Sequence, residues 1–183
     1  MTSLKASIAQ YDEMVAKGAF DGLGQKIELI EGEIQAMNPA GPRHDHLIEF
    51  LTHWSVERTD FSRVRVRVQS GLTLPEQESR PEPDVFWVKA ERPSDRHPIA
   101  REVLLLIEVS DSSLRVDRDK KANLYARAGI IEYWVVNVSE QLVHVYRDPA
   151  DSGYGSMRTI APGDSMTPLA APEATLDPAD LFR

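Results

Sequence analysis

Apolar positions along the chain fall into blocks whose spacing predicts helices and strands in turn. Near the N-terminus Tyr11, Met14 and Val15 recur at helical intervals and Gly18 is placed to end the helix, so a short helix is expected. The run Lys26-Ile27-Glu28-Leu29-Ile30-Glu31-Gly32-Glu33-Ile34 alternates around Glu31-Gly32, which predicts a β-hairpin with a tight turn. From Pro42 to about Asp60, Leu47, Ile48, Leu51, Trp54 and Ser55 mark one face of an amphipathic helix whose first turn suits Pro42. Val64, Val66 and Val68 then alternate with Arg63, Arg65 and Arg67, a strand with one face in the core and a basic face toward solvent or a polyanion.

Asp84-Val85-Phe86-Trp87-Val88 and Val103-Leu104-Leu105-Leu106-Ile107-Glu108-Val109 read as central strands, the second too continuously apolar to have a wet face. Asp117 to Gly129 carries Ala122, Tyr125 and Ala128 at helical intervals, with Gly129 as the stop. A strand from Glu132 to Val138 follows, so strand, helix and strand make a crossover unit. Leu142, Val143, Val145 and Tyr146 add another strand, and Tyr154 to Ile160 pairs with it as a C-terminal hairpin. The expected class is α/β (α+β), a mixed sheet with helices packed against it. No internal repeat, low-complexity tract or long linker breaks the chain, although the stretch from Asp148 onward is rich in Pro, Ala and Gly, so residues 1–183 are expected to form one domain.

Composition narrows the chemistry. With 183 residues, 42% hydrophobic and 27% charged, the balance is that of a soluble globular protein. No run approaches the roughly 18 apolar residues of a membrane span, and the opening MTSLKASIAQYDEM lacks a secretory stretch, so a cytoplasmic address is expected. The absence of cysteine excludes disulfides, thiol nucleophiles and Cys-based zinc sites, leaving any metal to oxygen and imidazole ligands. The net charge of −8 argues against binding nucleic acid by bulk electrostatics but leaves room for a local basic groove.

Glu108 is the most informative residue, an ionisable side chain at the end of a strand that otherwise reads as buried. Asp84 opens the preceding central strand from Pro81-Glu82-Pro83, and the stretch between the two acids is ample for adjacent strands and their connection. Two carboxylates that converge raise each other's pKa unless a cation lies between them, which points to a divalent ion such as Mg²⁺. The plain alternatives are a turn aspartate and a glutamate paired with an arginine. Lys120 and Lys121 lie on the following helix, where one can reach back toward the strand's end, although the neighbouring charges also suit a solvated helix face. Glu28 alone reads as a solvent-facing strand residue. His44 and His46, two apart on a helix, point in different directions and do not share a metal easily.

Phosphate loops of the G-x-x-x-x-G-K type, G-x-G-x-x-G, H-E-x-x-H and G-x-S-x-G are all absent, which demotes nucleotide hydrolysis, dinucleotide redox chemistry and serine hydrolysis. Tyr11, the Ile27 to Glu33 hairpin, Pro83-Asp84, and Ile107-Glu108-Val109-Ser110-Asp111-Ser112-Ser113-Leu114 form a pattern with Asp117, Lys121, Tyr125-Ala126-Arg127-Ala128-Gly129-Ile130 and Glu132-Tyr133-Trp134. With the closing Asp180-Leu181-Phe182, this pattern resembles the Uma-two family of restriction-endonuclease-like proteins, in the PD-(D/E)XK nuclease superfamily. The resemblance implies a central mixed sheet flanked by helices and metal-dependent hydrolysis of phosphodiester bonds.

Carried across by motif, the resemblance makes Asp84 and Glu108 the metal-binding acids, Glu28 an additional acid, and Lys121 the family's lysine, moved to the helix. The superfamily's usual lysine position, two residues after the second acid, holds Ser110 here. His44 matches a recurrent histidine at the start of the long helix. The implied function is a Mg²⁺ (or Mn²⁺)-dependent endonuclease acting on DNA, with Arg63, Arg65, Arg67, Arg115 and Arg118 supplying phosphate contacts and a homodimer suited to cutting two strands. Ser110 favours the alternative, a nuclease-fold binding or assembly module with weakened chemistry, and hydrolysis of another phosphoester is a third reading.

Overall fold

The structure, a computed structural model, describes residues 5–37, 41–110 and 116–183, with the backbone alone at 116–118. Arg115, the side chain of Arg118 and the motif residues Asp111 to Leu114 therefore lie outside the described residues.

Helix α1 (Ile8–Ala16) begins with a reciprocal cap: Ser7 Oγ accepts the Gln10 amide at 3.2 Å, and Gln10 Oε1 accepts the Ser7 amide at 2.9 Å. Gly18, at φ +70°, ends it. Of the expected apolar face only Tyr11 is buried, its hydroxyl donating to the Ile27 carbonyl at 2.7 Å, while Val15 is 50% exposed. That hydroxyl ties the helix to the hairpin of β1 (Ile27–Ile30) and β2 (Glu33–Ala36), and Asp12 pairs with Arg80 at 2.8 Å. Glu31 and Gly32 both have positive φ, 50° and 80°, the turn conformation that matches strand twist in a two-residue hairpin.

Helix α2 (Pro42–Arg58) buries Leu47, Ile48, Leu51, Trp54 and Ser55, the five positions its periodicity marks. Six strands form the main sheet in chain order: β3 (Val64–Val68), β4 (Val85–Lys89), β5 (Val103–Ser110), β6 (Glu132–Asn137), β7 (Leu142–Ala150) and β8 (Gly153–Ile160). All neighbours are antiparallel except β5 and β6, whose parallel pairing needs the predicted crossover. Helix α4 (Pro178–Leu181) lies near the end of the chain.

The crossover differs from the continuous helix expected over 117–129: a π-helical segment, Val116–Lys121, leads into a short α3 (Ala122–Arg127). Lys121 is buried at the end of the π-helical segment, and Ala122 and Tyr125 are buried against the sheet. On β3 the expected two-faced pattern is blurred, with Val68 exposed and Arg65 and Arg67 half-buried. This follows from β3 being an edge strand, where the exposed Phe61 ring lies 3.6 Å under the Arg65 guanidinium.

Apolar side chains cover both sheet faces. On one, α2 packs on Val85, Trp87, Ile107 and Trp134, with Trp54 stacked on Trp87 at 5.6 Å. On the other, Leu124 and Tyr125 of α3 and Ile30 of the hairpin pack on Phe86, Leu106 and Tyr133. Fully buried Glu132 is satisfied from distant chain: Arg147 donates to Oε1 at 2.6 Å, Trp134 Nε1 at 3.0 Å, and the Leu169 amide donates to Oε2 at 2.7 Å. Arg147 also donates to the Thr167 carbonyl at 2.7 Å. Among the described residues no helix is long and apolar enough to cross a membrane.

Candidate active site

Val85 faces Ile107 in the antiparallel β4/β5 register, which sets Asp84 opposite Glu108 one step further on. Directly opposed residues share a sheet face, so the two acids emerge together on the α3 side. Both are buried, with 8% and 3% of their surface exposed. The backbone knits them together: the Val109 amide donates to Asp84 Oδ2 at 2.8 Å, and the Asp84 amide donates to Glu108 Oε2 at 3.4 Å.

Lys121 enters this pair from the crossover. Its Nζ donates to Glu108 Oε1 at 3.0 Å and lies 3.3 and 3.4 Å from the two oxygens of Glu28. Glu28 is buried, which corrects the solvent-facing position its alternation suggested. The cause is non-local: segment 78–82 returns beside β1, with the Arg80 amide donating to the Leu29 carbonyl at 2.7 Å and the Glu82 amide donating to Glu28 Oε1 at 2.7 Å. Glu28 Oε2 is left buried with no hydrogen bond. Lys120, by contrast, is exposed.

His44 approaches from the first turn of α2, its Nε2 3.3 Å from Asp84 Oδ2, whereas His46 is exposed. The hydrogen bond to Asp84 raises the His44 pKa, outweighing its burial, and the Asp84 charge adds to the effect. Burial pushes the Asp84 carboxyl up, but the bond and charge of His44, the Val109 amide and the Lys121 charge together hold it below the usual carboxylate range. Tyr125 is a site residue the sequence reading missed. Fully buried, it donates its hydroxyl to Glu108 Oε1 at 3.0 Å, and burial followed by the nearby carboxylates drives its own pKa well up. The signal was available, because a residue four on from Lys121 shares its helical face.

The fold thus gathers Asp84, Glu108, Glu28, Lys121 and His44 at one end of the sheet. Among the described residues no three His, Asp or Glu side chains converge as a preformed metal cage. The donor set nevertheless fits Mg²⁺, which is held by one or two carboxylates together with water and substrate oxygens. Asp84 Oδ1 accepts no hydrogen bond among the described residues, which leaves a hard oxygen donor available beside Glu108.

The sequence profile described as "Uma2: Putative restriction endonuclease" matches residues 8–179. The chain belongs to the Uma2 family. Its fold is similar to that of a crystal structure described as "a putative nuclease belonging to DUF820 from Anabaena variabilis ATCC 29413", with a TM-score of 0.75 over 96% of this chain and 97% of that one at 18% identity. That likeness establishes the fold of this Uma2 chain, a mixed sheet of the nuclease-like type with helices on both faces. No match was found among curated proteins.

Proposed function

We propose that the chain is a divalent-metal-dependent endonuclease that hydrolyses phosphodiester bonds of DNA, with Asp84 and Glu108 as the metal ligands. The observation that carries this reading is the buried, register-matched Asp84 and Glu108 pair with a lysine reaching it from the crossover. Two carboxylates brought to adjacent register positions favour a cation between them. When bound, Mg²⁺ or Mn²⁺ lowers the pKa of water and offsets phosphate charge.

The chain's own groups do the rest. Hydrolysis forms a bond from the water oxygen to phosphorus and breaks the P–O bond to the leaving oxygen, the water giving up a proton to solvent and the leaving oxygen taking one from it. Lys121 steadies the charge that builds on the phosphoryl oxygens, and its contact with Glu108 does the work expected of the superfamily lysine where the strand carries Ser110. His44 holds Asp84 Oδ2, so Oδ1 remains the donor. Glu28, bridged to Lys121, keeps the ammonium in place.

The test is cleavage of supercoiled and single-stranded DNA with Mg²⁺ or Mn²⁺ by the wild type and by Asp84→Ala and Glu108→Ala, alongside calorimetric metal titration. Metal-dependent cleavage lost in both variants supports the proposal. No cleavage and no metal binding by the wild type overturns it in favour of a nuclease-fold binding module, the reading that Ser110 favours.

A further inference from the structure

The closing segment of the chain takes no part in the acid cluster, yet it lines a cavity beside it. Leu181 and Phe182 at the end of α4 meet Leu47 of α2 and Val138, the residue after β6, around about 180 Å³ of space. Leu47, Val138 and Leu181 are buried and Phe182 is half-buried, so the floor is apolar. Arg43 and His46, both exposed, and Arg183 bring guanidinium and imidazole groups to the wall, and no carboxylate side chain lines it. Three larger grooves differ in this respect: Asp45 and Glu49 line one between α2 and β3, Glu31, Glu76 and Glu78 line another beside the hairpin, and Glu13 lines the third along α1. The acids next in sequence to the cavity wall are engaged elsewhere, Glu140 with the Asn137 side-chain amide at 2.9 Å and Asp180 with Arg183 at 2.9 Å.

Two backbone ties place the cavity next to the acids. Arg43 immediately precedes His44, whose Nε2 lies 3.3 Å from Asp84 Oδ2, and Leu47 follows one turn along α2. The Val138 amide donates to the Ser110 carbonyl at 3.0 Å, and Ser110 lies two residues beyond Glu108 on β5. Cavity and acid pair therefore share the end of the sheet where the parallel strands β5 and β6 finish. The cavity lies on the α2 face and the acids emerge on the α3 face, with the first turn of α2 between them.

We propose that this cavity receives one unpaired base of the substrate strand, with Phe182 as the stacking surface and Arg43 on the adjoining phosphate. The inference rests on the nuclease reading and narrows its substrate to a strand with a base free to leave the stack. The space is that of about six water molecules, room for one planar ring system and not for a duplex. An apolar floor under a cationic rim suits a group that is flat and apolar at one end and anionic at the other, which is how unpaired nucleotides are held, bases on aromatic rings and phosphates on cations. A wall free of carboxylates is where a chain of net charge −8 can accept a polyanion.

The test is fluorescence anisotropy with full-length protein in EDTA over a range of salt, using a labelled oligothymidine and an abasic sugar-phosphate strand of equal length. The wild type is expected to bind the oligothymidine about 10-fold tighter than the abasic strand. Phe182→Leu keeps apolar bulk against the core and is expected to bring the two strands level, whereas Phe182→Tyr retains the preference. Arg43→Ala is expected to weaken both strands alike and to flatten the slope of log Kd against log salt by about 0.7. Arg158→Ala, an exposed arginine on the edge strand β8, is the bulk-charge control and is expected to bind like wild type. The wild-type comparison and the Arg43→Ala slope decide the matter even if Phe182→Leu folds poorly. Equal wild-type affinity for the two strands, no binding of either, a preference that survives in Phe182→Leu, or a loss in Arg158→Ala equal to that in Arg43→Ala overturns the base pocket. If Mn²⁺-dependent cleavage then persists, the nuclease reading stands without the pocket; if cleavage is absent too, both fall.

Discussion

Replacing Lys121 by methionine keeps the length of the side chain and removes its charge. In the structure the ammonium lies 3.0 Å from Glu108 Oε1 and 3.3 Å from Glu28 Oε2, and all three groups are buried. Breaking a buried ion pair by deleting one partner costs about 3–5 kcal/mol, because a charge is stranded out of water. Glu108 keeps its bond from Tyr125, and Glu28 keeps that from the Glu82 amide, so the lower end applies. A loss of about 3 kcal/mol in a chain of this size corresponds to a fall in Tm of roughly 6–12 °C. The assay is thermal and urea unfolding of Lys121→Met without added metal at pH 7. A Tm within about 2 °C of wild type, less than 1 kcal/mol, would refute the claim that the lysine neutralises the acid cluster.

Tyr125→Phe removes one donor to a buried carboxylate and should destabilise by about 1.5–3 kcal/mol in urea unfolding; an unchanged midpoint would mean the hydroxyl does not hold Glu108. Glu102 has its pKa lowered, first by the Arg96 hydrogen bond against its burial, so its stabilisation is present above the unfolded value of about 4.3 and is lost as pH falls through the lower folded value. The stability gap between wild type and Glu102→Gln is therefore expected to be widest near neutral pH and to close in acid, and a gap independent of pH would contradict the pairing. Gly32→Ala forces a side chain onto φ +80° and brings its Cβ 2.9 Å from Lys5 Cβ, which should cost about 1–2 kcal/mol and speed hydrogen exchange at the amides that pair β1 with β2; unaltered exchange there would show that the hairpin does not depend on this turn.

Local patterns were legible wherever one contact face decides a residue's fate. Leu47 through Ser55 announce the buried stripe of α2, the apolar run before Glu108 announces a strand covered on both sides, and Glu31-Gly32 announces its turn. The acid pair was legible too, because Glu108 breaks an apolar run and Asp84 opens its neighbour. What escaped depends on partners remote in the chain. Glu28 is buried because segment 78–82 lies against it, and no periodicity within the hairpin records that. Val68 is exposed because β3 is an edge, a fact of strand order and not of alternation. Tyr125 reads as a core aromatic and is one, with its ring among apolar neighbours and only its hydroxyl at the site.

Glu132 has a consequence for how the protein is made. Its carboxylate lies at the start of β6, where Trp134 Nε1 donates to it, yet its other donors are Arg147 on β7 and the Leu169 amide, and Arg147 donates to the Thr167 carbonyl. During synthesis β6 leaves the ribosome well before Leu169 does, and burying Glu132 Oε2 without its donor is unfavourable. The nascent chain gains the last of these donors only when Leu169 has emerged, so ribosomes stalled short of Thr167 should carry a chain that proteases cut more readily than one extended past Leu169.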